Sequence, residues 1–210
     1  QSPAVLPLND YDFMGSTKQP VKTAVTNINK YIETQYEDDY ENTFSLTSED
    51  SADIGTAYHK LLAAIDFKLP KQQIADFIKS CIKNNIITAL QAQSIDVDII
   101  WKILNLPCIK QIAEMPHFRE KPFITYISSK EAGGDGADNV LMQGVIDVIA
   151  VDKDKGYIID YKYSVRDSEY LKNRYRRQLE LYSLAAEQIL GIKVISKIII
   201  NIKSAQIINV

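Results

Sequence analysis

The chain has 210 residues, of which 46% are hydrophobic and 24% are charged, and its net charge at pH 7 is −3. These values are typical of a globular protein, and a chain of this length removes roughly 70% of its unfolded surface from water, so its core needs no disulfide. The slightly acidic balance gives no sign of a general electrostatic affinity for nucleic acids, so any basic binding surface must be local.

Cysteine usage and hydropathy exclude several further classes of protein. Cys81 and Cys108 are far apart, and neither belongs to a CxxC pair or a Cys/His cluster. This usage predicts a reducing compartment, the cytoplasm, and argues against a zinc site or an iron–sulfur cluster. No stretch approaches the ~20 apolar residues of a membrane span, and no signal peptide opens the chain. The first residue is Gln1, from which we expect a fragment of a longer protein, the alternative being a processed or trimmed terminus.

The N-terminal region predicts little regular structure before a first helix. Residues 1–19 combine proline with polar residues, which is typical of a linker. Residues 20–40 have apolar side chains at helical spacing and end in an acidic run. The apolar side chains are Val21, Val25, Ile28 and Ile32. We therefore assign residues 1–50 to an N-terminal linker and helix.

Helical patterns continue to about residue 115. Residues 51–66 predict an amphipathic helix that Ser51 or Asp50 caps, and residues 71–84 and 95–105 predict two more. We expect the region from about 67 to 115 to be a helical insertion in a single domain that spans residues 51–210.

The second half of the chain changes to strand patterns. Residues 117–128, 139–152 and 155–164 are rich in β-branched and aromatic residues. A long helix is expected at 168–190, followed by strands at 194–202 and 205–210. Apolar strands need cover on both faces, so the fold class expected is α/β, with a central mixed β-sheet flanked by helices.

Three charged residues interrupt the apolar strands. Asp147 lies within QGVIDVIAV, and Asp160 and Lys162 lie two residues apart within GYIIDYKYS. Two neighbouring carboxylates repel each other, and a hard divalent cation bound by oxygen ligands relieves the repulsion. Lys162 would then hold a water molecule or a phosphate oxygen, as metal-assisted hydrolysis of a phosphodiester requires. The alternative is a set of structural ion pairs.

The segment GVIDVIAVDKDKGYIIDYKYS, followed by YRRQLELYSLA, resembles the nuclease domain of the RecB family. This family lies within the PD-(D/E)xK superfamily, and the resemblance is closest to the C-terminal domain of AddA-type helicase–nuclease subunits. It covers about residues 51–66 and 117–210. It implies a restriction-endonuclease-like core with an N-terminal helical region added.

The resemblance also implies a set of site residues. Residues that match the family's motifs are Gly55 and His59, Glu120, Asp147, Asp160 with Lys162, and Gln178 with Tyr182. The resemblance implies that Mg²⁺ or Mn²⁺ is ligated by His59, Asp147, Asp160 and the backbone carbonyl of Tyr161. Lys162 would position or activate the attacking water or stabilise the transition-state charge.

The function implied is that of a metal-dependent deoxyribonuclease, the exonuclease of a helicase–nuclease in double-strand break repair. Its partners would be single-stranded DNA, a helicase domain of the same polypeptide and a second helicase–nuclease subunit, without a membrane. GGDGADN lacks the GxxxxGK[ST] pattern, so no ATP site is expected in this chain. The alternatives are a catalytically silent module of the same fold that binds DNA or a partner protein, and a stand-alone nuclease.

A basic segment follows the Asp-x-Lys motif in this acidic chain. Its cationic residues are Lys172, Arg174, Arg176 and Arg177. Tyr175, Gln178 and Tyr182 share one face of the same predicted helix. The segment is a candidate for guiding a phosphate backbone towards the site, and the alternative is a solvated charged face.

Overall fold

A computed structural model of the chain describes residues 22–27, 48–133 and 138–210. In these ranges a six-stranded mixed sheet has helices on both faces. The helices are α1 (Ser48–Ala64), α2 (Lys71–Lys83), α3 (Ala89–Gln93), α4 (Val97–Leu104), α5 (Pro107–Ala113) and α6 (Ser168–Leu190). The strands are β1 (Lys22–Ala24), β2 (His117–Ser128), β3 (Asn139–Asp152), β4 (Lys155–Lys162), β5 (Lys193–Asn201) and β6 (Gln206–Asn209).

Strand β3 is the central element of the sheet. Strand β2 pairs antiparallel with β3 along one edge. The other edge of β3 is divided between two strands, since β4 pairs antiparallel with Val148–Asp152 and β1 pairs parallel with Leu141–Gln143. Strand β5 lies parallel to β4, and β6 closes the order antiparallel to β5. The mixed sheet flanked by helices that the sequence predicts is confirmed.

The prediction of a helix over residues 20–40 is wrong for residues 22–24, because these residues form strand β1. Because β4 pairs with β3 only from Val148 onwards, the first half of β3 has backbone groups that β1 hydrogen-bonds. Residues 25–27 are helical. The rest of the expected helix and most of the linker lie outside the described residues.

The core consists of two apolar layers, one on each face of the sheet. Alternate residues of a strand project to opposite faces, so β4 contributes Ile159 and Tyr161 to one layer and Ile158 to the other. The first layer packs against α1, α2, α4 and α5, through residues such as Leu62. The second layer packs against α6, through Leu179 and its apolar neighbours.

The predicted insertion is a cluster of four helices, α2 to α5. The two helices expected at 71–84 and 95–105 are confirmed as α2 and α4. The two short helices, α3 and α5, were not predicted. Helix α3 begins with a capping box between Thr88 and Gln91, and α5 begins with Pro107 at its first turn. Among the helices that the structure describes, none has the length and hydropathy of a membrane span.

Helix α6 agrees with the predicted range 168–190 and shows clear signals at both ends. The side chain of Asp167 accepts a hydrogen bond from the backbone N–H of Tyr170 and caps the N-terminus. Gly191 ends the helix with φ 66°, a left-handed conformation that glycine adopts at little cost. These two signals fix where α6 begins and ends along the sheet.

Candidate metal centre

The site forms where β3 and β4 separate. The last paired residues before the separation are Val148 and Ile159, so Asp147 and Asp160 are the next residues in register on the two strands. The register between β2 and β3 is unbroken on both sides of Glu120 and places Glu120 opposite Asp147. Three carboxylates therefore occupy one level of three adjacent strands.

The backbone is irregular at this level. On the α6 side of the sheet, β3 buries Met142 and Ile146, but its next residue in that layer is Ile149. The alternation of faces is therefore reset at Asp147. Opposite Asp147, Glu120 has φ 47°, which is unfavourable for a residue with a Cβ and costs about 1 kcal/mol or more. The strained backbone at Glu120 therefore lies within a paired strand, next to the carboxylates, and not in a turn.

Helix α1 contributes an imidazole to the carboxylates. The Nδ1 atom of His59 lies 3.4 Å from Oδ2 of Asp147. One donor atom from each of His59, Glu120 and Asp147 lies within 4.8 Å of the other two. The backbone N–H of Tyr161 donates a 2.7 Å hydrogen bond to Oδ2 of Asp147 and holds this carboxylate across the gap between the strands.

Asp160 is turned towards Lys162 and helix α6. Its side chain is 1% exposed, and its Oδ2 lies 2.6 Å from Nζ of Lys162. The amide nitrogen of Gln178 donates to Oδ1 of Asp160 at 3.2 Å and to the hydroxyl of Tyr182 at 2.7 Å. Gln178 and Tyr182 are one turn apart, so α6 presents both to the end of β4. These contacts fix the carboxylate of Asp160 and the ammonium group that it holds.

Burial and the neighbouring charges shift the pKa values of four side chains of the site. Burial, reinforced by the charge of Asp160, raises the pKa of Asp147 well above its ordinary value and also raises the pKa of Glu120. Burial and then the charge of Lys162 lower the pKa of His59, which favours the neutral imidazole. Burial opposes the charge of Lys162, but Asp160 and Asp147 outweigh it and raise the pKa of Lys162 overall. The cluster is therefore short of positive charge.

Glu120, His59 and Lys162 open onto a cleft of about 790 Å³. Its walls come from α1, from the loop after α2 and from the ends of the motif strands. The lining residues include Thr56, His59, Lys60, Ile86, Glu120, Lys162 and Tyr163. The motif pattern predicted His59, Glu120 and Lys162, but the helical insertion carries no signal that would place Ile86 here. Lys60 is adjacent to His59 in sequence, and that adjacency is its only signal.

A model of the PD-(D/E)XK nuclease superfamily matches residues 31–208 of the chain. The chain belongs to this superfamily. Asp147 lies within β3, and Asp160 and Lys162 lie at the end of the neighbouring strand β4. A nuclease role for the chain therefore has the support of both its family and its geometry.

Three relatives carry the same name, which describes the A subunit of an ATP-dependent helicase/nuclease. That of Ruminiclostridium cellulolyticum is 27% identical over 85% of this chain and 16% of its own length. That of Acetivibrio thermocellus is 29% identical over 90% of this chain and 17% of its own length. That of Bacillus cytotoxicus is 30% identical over 66% of this chain and 13% of its own length. The expected similarity to AddA-type subunits is confirmed. The chain spans less than a fifth of the length of these curated relatives.

A solved structure described as the crystal structure of SSO0001 is also similar, at 15% identity with a TM-score of 0.35, over 89% of this chain and 73% of that one.

PD-(D/E)XK nucleases use divalent metals, and the donor set of this chain fits one. Two carboxylates and an imidazole whose lowered pKa favours its neutral form converge, with Asp147 and His59 partly buried and Glu120 exposed, and the pKa values of both acids are raised. Carboxylate oxygens suit Mg²⁺ and Mn²⁺, and imidazole suits the transition metal better. The structure brings His59 and Asp147 together with Glu120, which the sequence pattern had placed in the active site without a metal role. Asp160 and the carbonyl of Tyr161 stay predictions as ligands.

Proposed function

We propose that the chain is a divalent-metal-dependent deoxyribonuclease that hydrolyses phosphodiester bonds in single-stranded DNA with Mg²⁺ or Mn²⁺. The proposal depends on one observation: three carboxylates occupy the same level of three adjacent strands. They belong to Glu120, Asp147 and Asp160. An imidazole lies beside Asp147, and an ammonium group lies beside Asp160. Structural ion pairs would place one cation beside each buried acid. Here Lys162 is paired with Asp160, and Asp147 has the neutral His59 as its neighbour.

The residues divide into two groups with different tasks. Glu120, Asp147 and His59 would hold the cation. A bound cation would polarise a phosphoryl oxygen and lower the pKa of a bound water molecule. Lys162 has a raised pKa, so it remains protonated and stabilises the charge that develops on the phosphate. Asp160 orients Lys162 through their 2.6 Å contact.

Gln178 and Tyr182 complete the site from helix α6. The Gln178 amide donates to Asp160 and to the Tyr182 hydroxyl, and neither residue lines the cleft, so we assign both to positioning. A change in either residue alters how Lys162 is held and leaves the cation ligands in place.

The relatives suggest the setting in which the chain acts. Their name refers to an ATP-dependent helicase/nuclease, which leads us to propose that the chain works as an exonuclease attached to a helicase domain of the same polypeptide. A second helicase–nuclease subunit would complete the assembly. The substrate would be the single strand that the motor releases during double-strand break repair, in the cytoplasm at the nucleoid.

A cleavage assay tests the proposal. Labelled single-stranded DNA is incubated with the chain in Mg²⁺, in Mn²⁺ and in chelator, and the experiment is repeated with Asp147→Asn and with Asp152→Asn. Asp152 is an exposed acid at the far end of β3 and is the matched control. We expect cleavage only with metal, a loss of about 10²-fold or more in Asp147→Asn, and no loss in the control.

Two outcomes would contradict the proposal. Equal cleavage in chelator would remove the metal from the mechanism, and undiminished cleavage by folded Asp147→Asn would remove the site. A protein that binds DNA but does not cut it with either metal would instead favour the catalytically silent module.

A further inference from the structure

Cations and aromatic rings alternate in a row that leads away from Lys162. Its Nζ lies 4.6 Å from the ring centroid of Tyr175. The guanidinium of Arg174 lies 5.9 Å from the Tyr175 ring and 5.8 Å from the Tyr170 ring. The guanidinium of Arg166 lies 5.2 Å from the Tyr170 ring as well. All four distances are within the range of cation–π attraction, and we call these five residues the cation–aromatic ladder.

The local sequence builds the ladder on the start of α6 and the loop before it. Tyr170 and Arg174 are four residues apart and share one face of α6, where a 2.6 Å hydrogen bond joins the Arg174 guanidinium to the Tyr170 hydroxyl. Arg166 precedes the helix cap, and its backbone N–H is held by the hydroxyl of Ser164. Contacts between neighbouring members therefore connect Arg166, Tyr170 and Arg174.

The ladder runs from the buried site to open solvent. Lys162 lines the cleft, whereas Tyr170 is 38% exposed and Arg166 is exposed. Next to Arg166, the apolar side chain of Val165 is 75% exposed. Within the described part of the chain, Arg166 has no carboxylate partner, and the net charge of the whole chain is −3. The ladder is therefore a cationic and aromatic surface on an acidic chain, and its inner end is in the active site.

Arg177, another basic residue of α6, has a different role. Arg177 donates to the backbone carbonyl of Glu131 at 2.6 Å and to the carboxylate of Glu180 at 3.1 Å, so it ties α6 to the end of β2. Of the four cations in the basic segment of this helix, only Arg174 belongs to the ladder.

We propose that the cation–aromatic ladder binds the single strand next to the cleaved phosphate and selects single-stranded over duplex DNA. Arg166 contacts a phosphate of the strand, and an unstacked base lies on the ring of Tyr170. Every base has a face that can stack on an aromatic ring, but a duplex keeps those faces inside its own stack. This inference rests on the proposed function because the inner end of the ladder is Lys162.

The first test measures binding without cleavage. A fluorescent oligothymidylate is titrated with the 210-residue chain in chelator, and binding is followed by anisotropy. We expect Tyr170→Ala to weaken binding about tenfold, because base–aromatic stacking contributes about 1–3 kcal/mol per base. Tyr170→Phe keeps the ring and retains most of the affinity. Tyr126→Ala removes an aromatic ring that is 63% exposed on β2, away from the ladder, and serves as the matched control.

The second test separates a phosphate contact from stacking. For a single strand, each neutralised phosphate contributes about −0.7 to the slope of log affinity against log salt. We expect Arg166→Ala to reduce the magnitude of that slope by about 0.7, and Arg166→Lys to restore it. Lys155→Ala removes an exposed cation at the opposite end of β4 and leaves the slope unchanged.

The two tests are read independently of cleavage. The ladder is refuted if Tyr170→Ala binds as tightly as Tyr126→Ala, or if Arg166→Ala shows the same salt slope as Lys155→Ala. It is equally refuted if Tyr170→Ala keeps the full preference of the wild type for the oligothymidylate over a duplex competitor. A chain that binds through the ladder but cuts with neither metal would refute the proposed function and leave the ladder standing.

Discussion

Replacing Asp160 by alanine is expected to destabilise the fold as well as the chemistry. The carboxylate is 1% exposed, and its removal leaves the Lys162 ammonium, whose side chain is 18% exposed, without its 2.6 Å partner. The loss of one partner of a buried pair costs about 3–5 kcal/mol, and the partial exposure of Lys162 favours the lower limit, about 3 kcal/mol. Gln178 loses the acceptor of its 3.2 Å hydrogen bond as well.

The expected change is large enough for ordinary unfolding experiments. For a chain of this length, 1 kcal/mol corresponds to about 2–4 °C in Tm, so Asp160→Ala should unfold about 6–12 °C below the wild type. Removing the stranded charge in Asp160→Ala/Lys162→Met should recover most of the loss, because a buried pair contributes little beyond an apolar pair of similar volume. Urea and thermal unfolding followed by circular dichroism measure both variants in chelator.

The comparison between the single and double variants decides the outcome. If Asp160→Ala is as stable as the wild type, or if the double variant is less stable than the single one, Lys162 does not depend on Asp160 and the positioning role is wrong. Asp160→Asn keeps the acceptor for Gln178 and is therefore the better variant for activity measurements.

Three further predictions concern the packing, the electrostatics and the positioning of the site. Gly144→Ala places a Cβ 2.7 Å from the ring of Phe123 and should lower the free energy of unfolding by about 1–3 kcal/mol, as measured in urea. In Gly55→Ala the nearest atom to the new Cβ is 3.5 Å away, so this variant should be as stable as the wild type or up to about 1 kcal/mol more stable. Equal stabilities of the two variants would contradict this packing. The pKa of Asp147 is raised in the folded state, so the protonated form stabilises the fold at low pH and this stabilisation is lost as pH rises from about 4 towards the raised pKa. In chelator, the free energy of unfolding of the wild type should therefore fall relative to Asp147→Asn over that interval, and a rising difference would reverse the assigned sign. Tyr182→Phe removes the hydroxyl that accepts from the Gln178 amide and should lower kcat severalfold with little change in metal affinity; a loss of metal affinity instead would make Tyr182 part of the cation site.

The sequence predicts the elements that have a strong period. Helix α6 and strands β2 to β5 follow their apolar patterns closely, because each buries a long stripe or face. Strand β1 has three residues, and its formation depends on the free edge of β3, which no local pattern contains. Short elements that exist only through a tertiary partner are beyond single-sequence inference.

The same distinction holds for the site. Asp147, Asp160 and Lys162 stand out in the sequence because charges within apolar strands demand compensation. The orientation of Asp160 towards Lys162, and the level that Glu120 shares with Asp147, follow from register and from a backbone at φ 47°. No sequence pattern marks Arg166 as a site residue because it belongs to a loop. Its proximity to Tyr170 follows from the way α6 begins.

Calorimetric titration with Mn²⁺ measures whether Glu120, Asp147 and His59 form one cation site. We expect saturable binding by the wild type, a loss of about 10–100-fold in affinity in Asp147→Asn and in His59→Ala, and wild-type affinity in Asp152→Asn. No saturable binding by the folded wild type, or the same affinity in Asp147→Asn as in Asp152→Asn, would contradict it.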